Sequence, residues 1–289
     1  MTTREVEFAP GSDLFLELGR QLDAHNCRAA SVELLEGDFG DVVYVHPAFG
    51  PDAAHPMSFT EELRGEPHTV LRQGSGTTGF RHGEHFSHLH ASFVDGNGRT
   101  TGGHLLPGTS VGEAGMTVRL HFLSDVEWES TDDPETGFSA FSPAEPATAS
   151  STASRPTMET AEGLAPSTPA AVARIRPGVC LDTAVSQIAR RAGFPRARVV
   201  VGLGSTVGAL LDPIDREATG VIEVAWPAVE FTHLSGTVDR RNTRLIGEVV
   251  DVAGNVVAGA VRNEENPVAV TFELLIEGAS ESCLAAAGR

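Results

Sequence analysis

The sequence contains no lysine. All 21 of its basic side chains are arginine, against 39 acids, for a net charge of −18. The missing lysine reads as the mark of a GC-rich genome, not as mechanism. Cysteine is scarce too: Cys27, Cys180 and Cys283 are odd in number, far apart and without CxxC spacing. That excludes a disulfide framework and a cysteine zinc site, and leaves reduced, partly buried thiols as the expectation. No apolar run reaches the ~18 residues of a membrane span, and Glu5 and Glu7 stand where a signal peptide would be basic. A soluble, cytoplasmic protein with no membrane contact is expected. No basic stripe or arm is present, and polyanions are bound mainly by neutralising phosphates. Nucleic acid is therefore not an expected partner.

What is present comes in two parts. A chain of 289 residues is long enough for two domains. From about Thr136 to Ala170 the sequence collapses into Ala, Ser, Thr and Pro, a composition that cannot bury enough apolar surface to offset chain entropy. The expected division is a first domain over 1–130, a flexible linker over 131–170, a second domain over 171–278 and a tail over 279–289. The acidity follows this division, with net charges of −11 over 1–130, −5 over 131–170 and −2 over 171–277.

The two halves resemble each other. Phe8-Ala9-Pro10-Gly11 followed by Leu14, Leu18 and Leu22 matches Ile175-Arg176-Pro177-Gly178 followed by Leu181, Val185, Ile188 and Ala192. A strand at Ala30–Leu35 with a turn at 37–40 matches Arg198–Val201 with a turn at 202–205. Ser75-Gly76-Thr77 matches Ser235-Gly236-Thr237, and the stretch from Val94-Asp95 to Gly103 matches that from Val250-Asp251 to Gly259. Landmarks in one order predict a duplication. Each copy opens with a helix, continues through hairpins and ends on an apolar strand, 118–123 and 268–276. This predicts an α+β fold, two copies of a mainly antiparallel sheet flanked by helices.

The duplication also disposes of two glycine motifs. Gly74-Ser-Gly76-Thr-Thr-Gly79 lacks the helix that a dinucleotide fingerprint needs after it. The Gly202-Leu203-Gly204 stretch has a plain strand turn as its counterpart.

Histidine is concentrated. Ten of the eleven lie in the first half, and five fall between His82 and His104. His88 and His90, two apart on a strand, share one face. A three-residue loop at Gly96–Gly98 would pair His90 with His104 and bring all three imidazoles together; a two-residue loop would send His104 to the other face. Three neutral imidazoles with an open fourth position are how a catalytic zinc site is built, although a polar strand face would show the same spacing. His82, His85 and Glu84 just upstream offer a further ligand, a proton relay or only a solvated loop. In the second copy Arg244, Ile246 and Ala260 stand at the matching positions, so that copy has lost the site.

The run His88-Leu-His90-Ala-Ser-Phe-Val-Asp-Gly-Asn-Gly-Arg-Thr-Thr-Gly-Gly-His104-Leu resembles the signature of the plant- and prokaryote-conserved (PPC) domain, over roughly 1–130 and more weakly over 172–277. The resemblance implies a central antiparallel sheet, a trimeric association and zinc, or another divalent metal, on His88, His90 and His104. Plant members join this domain to an AT-hook, and no Arg-Gly-Arg-Pro hook occurs here. Family members often carry a glutamate early in the last strand, which Glu273 matches; Arg119 stands there in the first copy if a two-residue gap is allowed. An arginine near a metal would suit a carboxylate ligand, and an outward-facing arginine would suit the sheet equally.

Two functions compete. One is a metal-dependent enzyme of lyase or hydratase type acting on a small organic acid, with the metal on the triad, Arg119 or Arg81 orienting a carboxylate and His85 or Glu84 moving a proton. The other is a non-catalytic interaction or regulatory module with a structural zinc. In either case the chain is expected to form a homo-oligomer or a pseudo-symmetric assembly of its two copies.

Overall fold

The computed structural model describes residues 1–52, 55, 57–66, 68–145, 169–215, 218–225 and 228–279. Most of the expected linker, the tail and Cys283 lie outside these residues.

In the first half the elements run β1 (Thr2–Phe8), α1 (Leu14–Ala24), β2 (Ala30–Phe39), β3 (Val43–Val45), β4 (Pro47–Phe49), β5 (Met57–Phe59) and β6 (Leu63–Arg64). They continue with β7 (Thr69–Arg81), β8 (Glu84–Val94), β9 (Thr100–Leu105), β10 (Val111–Phe122), β11 (Glu127–Asp132) and β12 (Ser139–Ala144). The second half runs β13 (Ala170–Ile175), α2 (Leu181–Arg191), β14 (Arg196–Thr206), β15 (Ala209–Asp212) and β16 (Ile222–Val224). It ends with β17 (Val229–Asp239), β18 (Thr243–Val250), β19 (Val256–Val261) and β20 (Val268–Gly278).

The duplication is written in the strand order. The first sheet is β1-β10-β2-β7-β8-β9-β3-β6 and the second is β13-β20-β14-β17-β18-β19-β15-β16. Position by position, the two orders are one topology. Each half begins with a strand that the sequence reading missed, before its single helix.

The helices form where an amphipathic period follows a stop. The Asp13 carboxylate caps α1 by accepting from the Leu16 N–H at 3.0 Å. Leu14, Leu18 and Leu22 then fall on one buried stripe, in one apolar cluster with Leu89, Ala91 and Phe93 of β8. In the second half Leu181, Val185 and Ala189 of α2 pack on Val199, Phe272 and Leu274. One face of each sheet is thus filled by its helix. Among the described residues no helix is long and apolar enough to cross a membrane.

The expected turns at 37–40 and 202–205 are not turns. β2 runs through Gly37 and β14 through Gly204, with φ of 141° and 146°. A Cβ at Gly37 would lie 2.3 Å from the Gly115 carbonyl oxygen, and one at Gly204 2.2 Å from that of Thr271. The glycines mark places where the neighbouring strand comes too close for a side chain, beside shifts in register. Both glycine motifs set aside above therefore lie within strands.

The expected boundary at 130 also moves. β11 and β12 form a hairpin whose Trp128 and Phe141 are buried together with Val200, Val201, Leu203 and Leu275 of the second half. These aromatics order residues that composition alone had assigned to the start of the linker. Arg174 of β13 pairs with the buried Asp133 at the hairpin turn. The sheet face left open by α1 packs in this way against the second half.

Candidate metal centre between the two halves

The hairpin joining β8 and β9 closes through Gly96–Gly98. Asp95 N–H donates to Arg99 O at 2.9 Å, Gly98 has φ 80°, and His90 stands opposite His104. Leu89, Ala91 and Phe93 of β8 face α1, so His88 and His90 face the other way. His88 Nε2 lies 3.0 Å from His90 Nε2, and His90 Nε2 lies 3.2 Å from His104 Nδ1. The three ring atoms fall within 4.8 Å of one another.

The second half holds these rings. His88 Nδ1 donates to Glu273 Oε2 at 2.8 Å, and His90 Nδ1 donates to the Phe231 carbonyl at 2.9 Å. Because each acceptor fixes the proton on Nδ1, Nε2 of His90 offers a lone pair to the centre of the cluster. Burial, and then the neighbouring rings of His88 and His104, push the basicity of His90 well below that of an ordinary histidine. Burial and His88 do the same to His104. Two neutral imidazoles therefore face one point with His88.

Glu230 of β17 completes the surroundings. Its Oε1 lies 3.5 Å from His90 Nε2. Burial drives this carboxyl well above the usual carboxylate range, offset only in part by the His104 N–H it accepts.

This donor set fits a transition metal. Imidazole nitrogens suit zinc, and tetrahedral zinc at its usual bond length would set its nitrogens about 3.3 Å apart, close to the 3.0 and 3.2 Å that separate His90 from His88 and His104. Among the described residues these three histidines are the only such cluster. Beside it lies a cavity of about 170 Å³, lined by the triad, Glu230 and Glu273 together with Phe59, Phe86, Phe138 and Phe141.

The other expected site residues lie elsewhere. His85 is on the α1 face of β8, with Nε2 3.1 Å from Asp23 Oδ2 and its ring beside Phe80. It differs from the triad by one residue in parity, which on a strand means the opposite face. Glu84 is exposed at the turn opposite Arg81, and Arg81 pairs with Asp132 at 2.8 Å. Arg119 shares the sheet face of His90, but the registry Arg119–Glu33–Ser75–His90 puts it three strands, about 14 Å, away. It is held there by Glu5 and by Glu33, at 3.1 Å. The pairing also corrects the alignment: Phe8 pairs with Met116 as Ile175 does with Phe272, so the counterpart of Glu273 is Thr117, without a gap. Among the described residues no arginine lines the cavity, so the arginine expected to hold a carboxylate has no counterpart there.

In the second copy Ile246 stands opposite Ala260 in the registry that pairs His90 with His104, and Ile246 is exposed. The contribution of Glu230 and Phe231 was missed. The signal available was an acid inside the apolar run Val229-Glu230-Phe231 of a strand.

Residues 1–120 match the sequence model of the Plants and Prokaryotes Conserved (PCC) domain. Residues 1–120 form a domain of that family. Solved structures similar to the chain include a plant- and prokaryote-conserved protein from Pyrococcus horikoshii, 14% identical with TM-score 0.40, covering 50% of this chain and 94% of its own. Another is a metal-containing protein from Archaeoglobus fulgidus, 19% identical with TM-score 0.39, covering 49% of this chain and 93% of its own. Among curated proteins none matches the chain significantly. The second half repeats the strand order of the first.

Proposed function

We propose that this tandem PCC protein is a metal-dependent enzyme of lyase or hydratase type, with zinc or another imidazole-preferring divalent ion on His88, His90 and His104. The observation that carries this reading is the convergence of three ring nitrogens, two of them on rings whose opposite nitrogen is committed to the second half. Three protein ligands leave a coordination position open, as catalytic sites do. When bound, such an ion supplies a Lewis acid that polarises a ligand oxygen or acidifies a water.

The chain's own residues supply the rest. Glu273 orients His88, and the Phe231 carbonyl orients His90. Phe59, Phe86, Phe138 and Phe141 supply the apolar part of the cavity wall. Glu230, whose buried carboxyl is pushed well above the usual carboxylate range, is the group able to hold a proton beside the triad. It takes the role that the sequence had given to Glu84 or His85. Metal content per chain tests this reading. One equivalent in the purified protein, lost in the His88→Ala/His90→Ala double variant, is expected; a metal-free wild type would overturn it.

A structural role for the metal is the second reading, favoured by the position of the triad where the two halves meet. On that reading chelation lowers the melting temperature and no turnover is lost.

A further inference from the structure

The cavity beside the triad has a polarity that the triad does not explain. Three lining residues, Ser130, Glu230 and Glu273, each keep a buried side-chain oxygen without a hydrogen-bond partner: Ser130 Oγ, Glu230 Oε2 and Glu273 Oε1. The three residues are at most 1% exposed. An unpartnered buried oxygen is costly, and two of these atoms belong to carboxyl groups. Among the described residues no arginine lines the cavity, and the sequence has no lysine.

The remaining wall is apolar and aromatic, with the Phe86 and Phe141 rings 5.5 Å apart and Phe59 and Phe138 packed edge to face. A volume of about 170 Å³ is close to that of a protein cavity that accepts one benzene ring, about 150 Å³. An anion placed here would meet the Glu273 carboxylate, with no cationic side chain among the described lining residues and only the metal to offset it. A ligand with N–H donors would satisfy the orphaned oxygens and lay its apolar body on the phenylalanines.

We propose that the ligand of this cavity is a small amine or primary amide with a body about the size of one ring, held by Ser130, Glu230 and Glu273, and not a carboxylate. This rests on the metal-site reading above and names the ligand class of that same site. The site draws both carboxyl groups from the half that lost its own histidines, so the degenerate copy contributes the ligand-selecting side of the cavity.

The test is calorimetric titration of the full, metal-analysed chain with benzylamine, benzamide and benzoate. Benzylamine or benzamide is expected to bind at least tenfold more tightly than benzoate. Ser130→Ala, which leaves the triad and its partners intact, is expected to weaken that binding roughly three- to tenfold with metal content unchanged. Benzoate binding as tightly as the other two, or none of the three binding at millimolar concentration, would overturn the proposal. So would a Ser130→Ala variant with unaltered affinity. Metal analysis of the same samples separates the two readings: a metal-free chain that still prefers benzylamine counts against the metal centre alone, and a metal-loaded chain that prefers benzoate counts against the ligand class alone.

Discussion

His88 and Glu273 lie 185 residues apart and meet at 2.8 Å, the ring of one half held by the carboxylate of the other. A carboxylate behind a metal-binding imidazole fixes its tautomer and raises its basicity, and losing such a partner typically costs ten- to hundredfold in metal affinity. Glu273→Gln is therefore expected to weaken metal binding by that factor, read by competition with a chelator, while the fold survives.

Asp133 and Arg174 are buried and join the hairpin turn of the first half to the opening strand of the second. Burial alone would raise the Asp133 carboxyl; the hydrogen bond from Arg174, the Glu135 N–H and the charges of Arg174 and Arg176 outweigh it and hold it below the usual range. A depressed folded-state value means that the stabilisation is present above the unfolded value, about 3.9, and is lost as pH falls through the folded one. Denaturant unfolding at pH 7 is expected to show Asp133→Ala less stable by about 3–5 kcal/mol. The difference should shrink below about pH 4, where the wild type loses the same interaction. A constant difference down to pH 2 would contradict this.

Gly37 and Gly204 occupy the same place in the two copies, with positive φ and a facing carbonyl oxygen in the way of any Cβ. Alanine at either position is expected to cost more than the 1–3 kcal/mol of backbone strain alone, because the adjoining strand must also shift. Urea unfolding of each variant checks it, and a neutral Gly204→Ala would show that the second copy tolerates a different registry.

His85→Ala and Arg119→Ala make a paired control. Both residues were expected at the site, and both stand apart from it, one on the α1 face and one three strands away. Metal content is expected to stay at the wild-type level in each. The exposed part of the Arg119–Glu5 pair contributes at most about 1 kcal/mol. Loss of metal in either variant would return these residues to the site.

The sequence made the helices, the duplication and the triad legible because each rests on local periodicity. Leu14, Leu18 and Leu22 mark a helix by spacing alone, and the registry of His90 with His104 follows from the length of one loop. What it hid was non-local. Nothing near His88 in the chain points to Glu273, since only the packing of two sheets brings them together. Gly37 and Gly204 looked like turns because a glycine that admits a neighbouring backbone and a glycine that reverses the chain are the same letter. Phe138 and Phe141 were outvoted by the Ala, Ser, Thr and Pro around them. His85 was read as a neighbour of His88 by sequence distance, although strand parity puts it behind the sheet.

The most direct test of the central claim is X-ray absorption at the edge of the metal that purifies with the full chain. Three imidazole rings and a further light-atom ligand, at about 2.0–2.1 Å if the metal is zinc, are the predicted environment, with at least one ring lost in His104→Ala. A sulfur shell near 2.3 Å, or a spectrum unchanged by His104→Ala, would place the metal elsewhere and contradict the account.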